Sequence, residues 1–211
     1  MTGILLIVAA AAAATAGLDR LLAVIAVRRV SWSVAALTGP GHPAVVRFAG
    51  AAFLPQLLGG VYREIEVRVA ACMAGGIELR ALTVRLCLVR APIRLLLRGR
   101  GLVAGQVSGQ ATIPFSVIAS RLPPGLEVHR HGEQVRVRGT VLRLPVFGRL
   151  AVTSDGQRIS VVPSVLGVPS LVGFVLAVPG LPRELTIDAV RVTDVGLEIT
   201  ISGDEVKLTP R

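Results

Sequence analysis

Residues 61–69 constrain this chain more than any other stretch. Val61, Ile65, Val67 and Val69 alternate with Tyr62, Glu64, Glu66 and Arg68, and only Arg63 breaks the pattern. A period of two puts one side of a strand in a dry core and the other in water. From Gly60 onward the pattern is mostly of this kind, so the fold must be built on sheet. The stretch just before, 50–60, is apolar and turn-rich, with Pro55, Gly59 and Gly60 in it.

At 211 residues the chain suits one domain with a sizeable core once a leading apolar segment is set aside. Hydrophobic residues make up 52% and charged residues 17%, with a mean hydropathy of +0.69, more apolar than a core alone needs. Arginines interrupt the apolar residues after residue 18 too often for a multi-span membrane protein. The excess therefore implies an internal groove or a membrane-facing patch.

Charge divides the chain. Residues 20–149 hold 18 Arg against 5 Glu, whereas 150–211 hold 5 basic against 7 acidic residues. No acid lies between Glu78 and Glu127, a stretch that carries Arg80, Arg85, Arg90, Arg94, Arg98, Arg100 and Arg121. An anionic partner would meet the chain there, and the planar guanidinium fork suits phosphate. The bland alternative is that arginine is the default solvating residue, since Lys207 is the only lysine.

Residues 3–18 form an uncharged, alanine-rich run, short for a membrane span but long enough for a signal h-region or a tilted anchor. Ala14-Thr15-Ala16 fits a small-x-small cleavage rule, while Arg20, Arg28 and Arg29 follow the run rather than precede it. The division is 1–18 as signal peptide or membrane anchor and 19–211 as a single domain. A long N-terminal helix is expected to continue from Asp19-Arg20 to Leu37, ended by Gly39-Pro40-Gly41.

Further on, strands are expected at 45–48, 61–72, 77–88, 93–98 and 102–113, the parity change near Arg80-Ala81 marking a bulge that bends the sheet. In the 61–72/77–88 hairpin, Cys87 falls opposite Tyr62 and Cys72 beside the turn, too far apart for a disulfide. A short helix at 115–122 is followed by a hairpin turning at His131-Gly132 and another at Asp155-Gly156, closed by Pro163. The apolar segment 165–182 reads as a helix starting near Pro169. Strands 185–192 and 196–202 finish the domain.

Chemistry of other classes finds little support. Glu127, His129 and His131 share a strand face, but Gly132 makes them a hairpin tip more readily than a metal site. Gly99, Gly101 and Ala104 mimic a dinucleotide fingerprint without the helix that should follow. Ser108 lacks the flanking pattern of a nucleophile elbow. With 3% aromatic residues there are few platforms for stacking bases, so nucleic acid is not an expected partner.

Phe53, Leu54, Gln56, Leu57, Gly60 and Tyr62 resemble the signature of the LmeA-like family of actinobacterial cell-envelope proteins, although Ala51, Ala52 and Pro55 depart from it. A second similarity runs from Leu181 through Asp188 and Gly196 to Gly203. The resemblance implies a phospholipid-binding, non-enzymatic envelope protein without cofactor, exported or anchored at the outer, periplasmic face of the plasma membrane. It also implies an α+β fold, a long N-terminal helix packed on a curved, mostly antiparallel sheet, similar to tubular lipid-binding folds. Acyl chains would then lie against Phe53, Leu54, Leu57, Leu58, Ile65, Val67, Phe115, Ile118, Phe147, Leu171 and Phe174. Arg94, Arg98 and Arg100 would stand near an anionic headgroup at the membrane surface. The competing expectation is an envelope scaffold that binds a protein partner through an apolar surface.

Overall fold

The computed structural model describes residues 17, 19–28, 31, 44–50, 53–74, 76–92, 102–141, 144–166, 174–177 and 182–208. Helix α1 covers 19–28, and α2 (Phe53–Gly59) follows strand β1 (Ala44–Ala49). Three long strands come next, β2 (Val61–Ala74), β3 (Ile77–Arg90) and β4 (Leu102–Pro114), then helix α3 (Phe115–Ala119). A meander of β5 (Leu126–His131), β6 (Gln134–Val141), β7 (Leu144–Asp155), β8 (Arg158–Leu166) and β9 (Phe174–Ala177) precedes the last hairpin, β10 (Leu185–Val192) and β11 (Gly196–Leu208).

Two sheets result. One has six strands in the order β1-β2-β3-β4-β11-β10, the other five in the order β5-β6-β7-β8-β9, and every pairing is antiparallel. Pro114, at φ −61° and ψ 148°, ends β4 and starts α3. Through α3, whose Ile118 is fully buried, the chain crosses from the first sheet to the second. The tip of the β7–β8 hairpin returns to the first sheet, where Ile187 N–H donates to the Gly156 carbonyl at 2.6 Å.

Both apolar cores lie on one face of the six-stranded sheet. At one end Val69, Leu79, Ile113 and Leu197 meet Val137, Leu150 and Ile159 of the five-stranded sheet. At the other end Ile65, Leu86, Val107 and Val206 meet Ala26 of α1 and Phe53 of α2. Unbroken alternation from Ile65 to Val69 and from Val107 to Ile113 joins the two ends on the same face, and Val67 and Ile201 touch both cores. The five-stranded sheet and the helices thus sit side by side on one broad sheet.

This corrects the expected architecture. The sheet-dominated, antiparallel reading stands, but the principal cover is a second sheet and not a long N-terminal helix. From α1 only Leu22, Ala23 and Ala26 join a core. The expected helix over 165–182 is also overturned where it is described, because 174–177 form β9 against β8. Pro163 does not close β8, which runs on to Leu166. Described β9 pairs with 158–161 alone, so the proline takes no ladder donor away from it. Cys87 pairs with Glu64, two residues from the expected Tyr62, and both cysteines are free thiols. The two-residue loop of the β7–β8 hairpin is Gly156-Gln157, Asp155 being paired with Arg158. The expected signal segment, strand 93–98 and the helix from 32 to 37 lie outside the described residues.

Candidate functional site

A transverse line crosses the six-stranded sheet at Arg63, Leu88, Gly105 and Glu205, and along it every ladder pairing is skipped. Leu88 and Glu205 have φ of 53° and 49°, the left-handed region that L-residues rarely occupy. On four adjacent strands the in-out alternation reverses at this line without loss of register. Tyr62, Val89, Ala104 and Val206 are 0% exposed on one side of it, with Ile65, Leu86 and Val107 buried on the other. A Cβ at residue 105 would approach the Leu88 Cβ to 3.1 Å, so glycine is what lets the neighbouring strand bulge there. Paired irregularities of this kind bend a sheet. The expected parity change near Arg80-Ala81 is present as a second one, with φ 51° at Ala81 and a register shift between Arg80 and Thr83.

The bend reverses the expectation for Tyr62, which points inward. Its ring packs with Phe48 and Phe53 at centroid distances of 5.8 and 6.1 Å, and Phe48 and Phe53 meet edge-on at 5.3 Å. The Tyr62 hydroxyl is buried with no hydrogen-bond partner among the described residues, and burial raises its pKa above the ordinary 10.0. The Asp19 carboxylate of α1 accepts from the Leu54 N–H of α2, tying the two helices together. Helix α1 is apolar from Leu21 to Val27, between the exposed Arg20 and Arg28. Opposite its buried Ala26 and half-buried Leu22 and Ala23, it leaves Leu21 59%, Val24 50% and Ile25 52% exposed.

The sequence-predicted lining residues are spread over this frame. Phe53, Leu57 and Ile65 belong to the helix-covered core, Val67 touches both cores, and Leu54 is half-buried. Ile118 is buried in the inter-sheet core with Phe115 half-buried against it. Leu58 is 82% exposed, and Phe147 is 65% exposed on the outside of the five-stranded sheet. Phe174 is described only as a strand position, and Leu171, Arg94, Arg98 and Arg100 lie outside the described residues.

The two outward faces differ. On the six-stranded sheet, Thr83, Arg85, Ser108, Gln110 and Thr200 line a shallow polar hollow of about 220 Å³. Its charges are paired: Glu66 lies 2.8 Å from Arg68 and 3.5 Å from Arg85. The Arg68 hydrogen bond holds the Glu66 carboxyl below its ordinary range. On the five-stranded sheet His129, Arg136, Arg149 and Ser164 stand in one cross-strand row, with Phe147 and Arg138 in the next. They line a groove of about 690 Å³. Among the described residues no cluster of three or more His, Cys, Asp or Glu is arranged to hold a metal.

A bent antiparallel sheet, covered side by side by a second sheet and by helices, defines a sheet-dominated α+β class of protein. The chain belongs to the LmeA-like phospholipid-binding family, whose pattern matches residues 17–202. No curated protein and no solved structure matched the chain. The inward Tyr62, the exposed stripe of α1 and the Arg136–Arg149 row were missed in the sequence. Signals for them existed: the Arg63 exception, and the shared parity of 136 with 138 and of 147 with 149.

Proposed function

We propose that the protein holds a phospholipid in the helix-covered half of the six-stranded sheet, as a binding protein of the cell envelope and not as an enzyme. The observation that carries this is the exposed apolar stripe of α1 in a chain of a phospholipid-binding family. The helix seats Ala26 on the core and leaves Leu21, Val24 and Ile25 for further apolar contact. Acyl chains inserting beside α1 and α2 would extend the burial of Phe53, Leu57 and Ile65, each methylene contributing about 0.8 kcal/mol. The stranded Tyr62 hydroxyl is a donor that a lipid ester carbonyl can satisfy. Arg94, Arg98 and Arg100 lie on the chain between Pro92 and Leu102. Their planar guanidinium forks, in an acid-free stretch of sequence, support their assignment to an anionic headgroup. Export or anchoring at the outer face of the plasma membrane completes the proposal.

Native mass spectrometry of the full chain, before and after denaturing extraction, tests it. The expected result is stoichiometric phospholipid that is lost on denaturation. A lipid-free protein would leave the apolar stripe of α1 to a protein partner, the scaffold reading.

A further inference from the structure

We infer that the outer face of the five-stranded sheet, together with the exposed stripe of α1, is the side on which this protein docks onto an anionic phospholipid bilayer. The inference rests on the lipid-binding reading and names the surface that reading leaves open.

The first ground is electrostatic. Arg136 and Arg149 are directly opposite on neighbouring strands, flanked by His129 and Ser164. Like charges directly opposite across a ladder repel, and neither arginine forms an ion pair among the described residues. Arg138 has only the exposed Glu127 carboxylate, at 3.4 Å. The His129 Nδ1 in the same groove is buried without a partner among the described residues. Anionic headgroups lying against this row would relieve the repulsion and supply acceptors to both guanidinium forks.

The second ground is apolar. Phe147, Val162 and Val175 are 65%, 51% and 56% exposed on the same outward face as the arginines. Apolar side chains rising among basic ones suit the boundary between headgroups and acyl chains, where a protein-facing patch would seek a matching acidic and apolar partner instead.

The third ground is placement. The five-stranded sheet and α1 cover the same face of the six-stranded sheet, so their outer surfaces look to the same side of the molecule. On α1 that surface carries Leu21, Val24, Ile25 and the exposed Arg20 and Arg28. The opposite side of the molecule is the polar face of the six-stranded sheet, where Arg68 and Arg85 are already engaged by Glu66. The opposite face carries exposed Arg47, Arg63 and Arg90 and exposed Val45, Val61 and Leu88 as well, so what sets the proposed side apart is the directly opposed Arg136–Arg149 pair beside Phe147 together with the α1 stripe.

The test compares two variants with the same loss of charge, one on each side. Full-length protein is sedimented with phosphatidylcholine vesicles and with phosphatidylcholine–phosphatidylglycerol vesicles. R136Q/R149Q should lose roughly tenfold or more of its partition onto the mixed vesicles, at the usual contribution of basic residues near an anionic surface. R68Q/R85Q should change partition less than twofold, and R136K/R149K should retain it, which guards against misfolding as the cause. Equal losses in R136Q/R149Q and R68Q/R85Q would reduce the effect to net charge and overturn the assignment. So would wild-type protein that binds both vesicle types alike or neither. Native mass spectrometry on the same samples keeps the readings separate. Bound lipid with no docking difference overturns this inference alone, while docking by a lipid-free protein overturns the proposed lipid site alone.

Discussion

The two halves of the six-stranded sheet are covered in opposite ways. Where the five-stranded sheet packs on it, the interface is aliphatic: Ile113, Ile118, Ile159, Val161 and Leu197 are all 0% exposed. Where α1 and α2 pack on it, the core contains the Phe48–Phe53–Tyr62 cluster, a hydroxyl without a partner, and a helix whose far side is still apolar. Sheet-on-sheet packing of branched side chains leaves little to gain from a ligand. Two short helices laid over a bend leave a polar atom and an apolar stripe unanswered among the described residues, which is why the proposed lipid site is put in that half and not in the other.

Truncation on each side breaks the comparison most directly. Phe53→Ala should cost about 3–5 kcal/mol and Ile159→Ala about 2–5 kcal/mol, read from urea midpoints. The two should part in lipid content: the folded fraction of Phe53→Ala should carry much less phospholipid, and that of Ile159→Ala should carry as much as wild type. Equal lipid loss in both would remove the division of labour between the halves.

Gly105 tests the bend that separates them. A Cβ there comes within 3.1 Å of the Leu88 Cβ, so Gly105→Ala must push apart β3 and β4 at the line where Leu88 holds its positive φ. A loss of about 1–3 kcal/mol is expected in thermal unfolding. An unchanged midpoint would mean that the bend does not depend on this glycine.

Most strands and the places where they turn could be read from the sequence because alternation and Gly-containing turns are local signals, although both hairpin loops fall one residue later, at Gly132-Glu133 and Gly156-Gln157. The bulge at Arg80-Ala81 was legible for the same reason. What stayed hidden depends on neighbours distant in sequence. Arg63, Leu88, Gly105 and Glu205 look unrelated until four strands align them, and only then does Tyr62 turn inward. Segment 165–182 read as a helix because short apolar runs do not reveal their period, whereas pairing with β8 makes 174–177 a strand. The arginines at 136 and 149 were visible singly; their repulsive pairing needed the register of β6 on β7.

Tyr62 sharpens the contrast with a smaller effect. Burial raises its pKa, so its contribution to stability is complete below about pH 10, the unfolded value, and is lost as pH rises through the folded value. Tyr62→Phe should remove this alkaline limb. It should also stabilise delipidated protein by about 1 kcal/mol, because a buried hydroxyl without a partner is gone. In lipid-loaded protein the gain should vanish if an ester carbonyl accepts from that hydroxyl. A gain of equal size with and without lipid would detach Tyr62 from the ligand.

The smallest expected effect lies on the polar outer face, and its sign is opposite. The Arg68 hydrogen bond, with help from Arg85, holds the Glu66 carboxyl below its ordinary 4.5. Its stabilising contribution is therefore present above pH 4.5 and lost as pH falls through the lower, folded value. Glu66→Gln should flatten that acid limb slightly and leave the neutral-pH midpoint nearly unchanged, since exposed ion pairs contribute little in water. The same variant frees Arg68 and Arg85 on the side facing away from the proposed bilayer contact. If Glu66→Gln nevertheless raised partition onto anionic vesicles as strongly as R136Q/R149Q lowers it, two free arginines anywhere would suffice for docking. The side that carries Arg136 and Arg149 would then have no privilege over the opposite one.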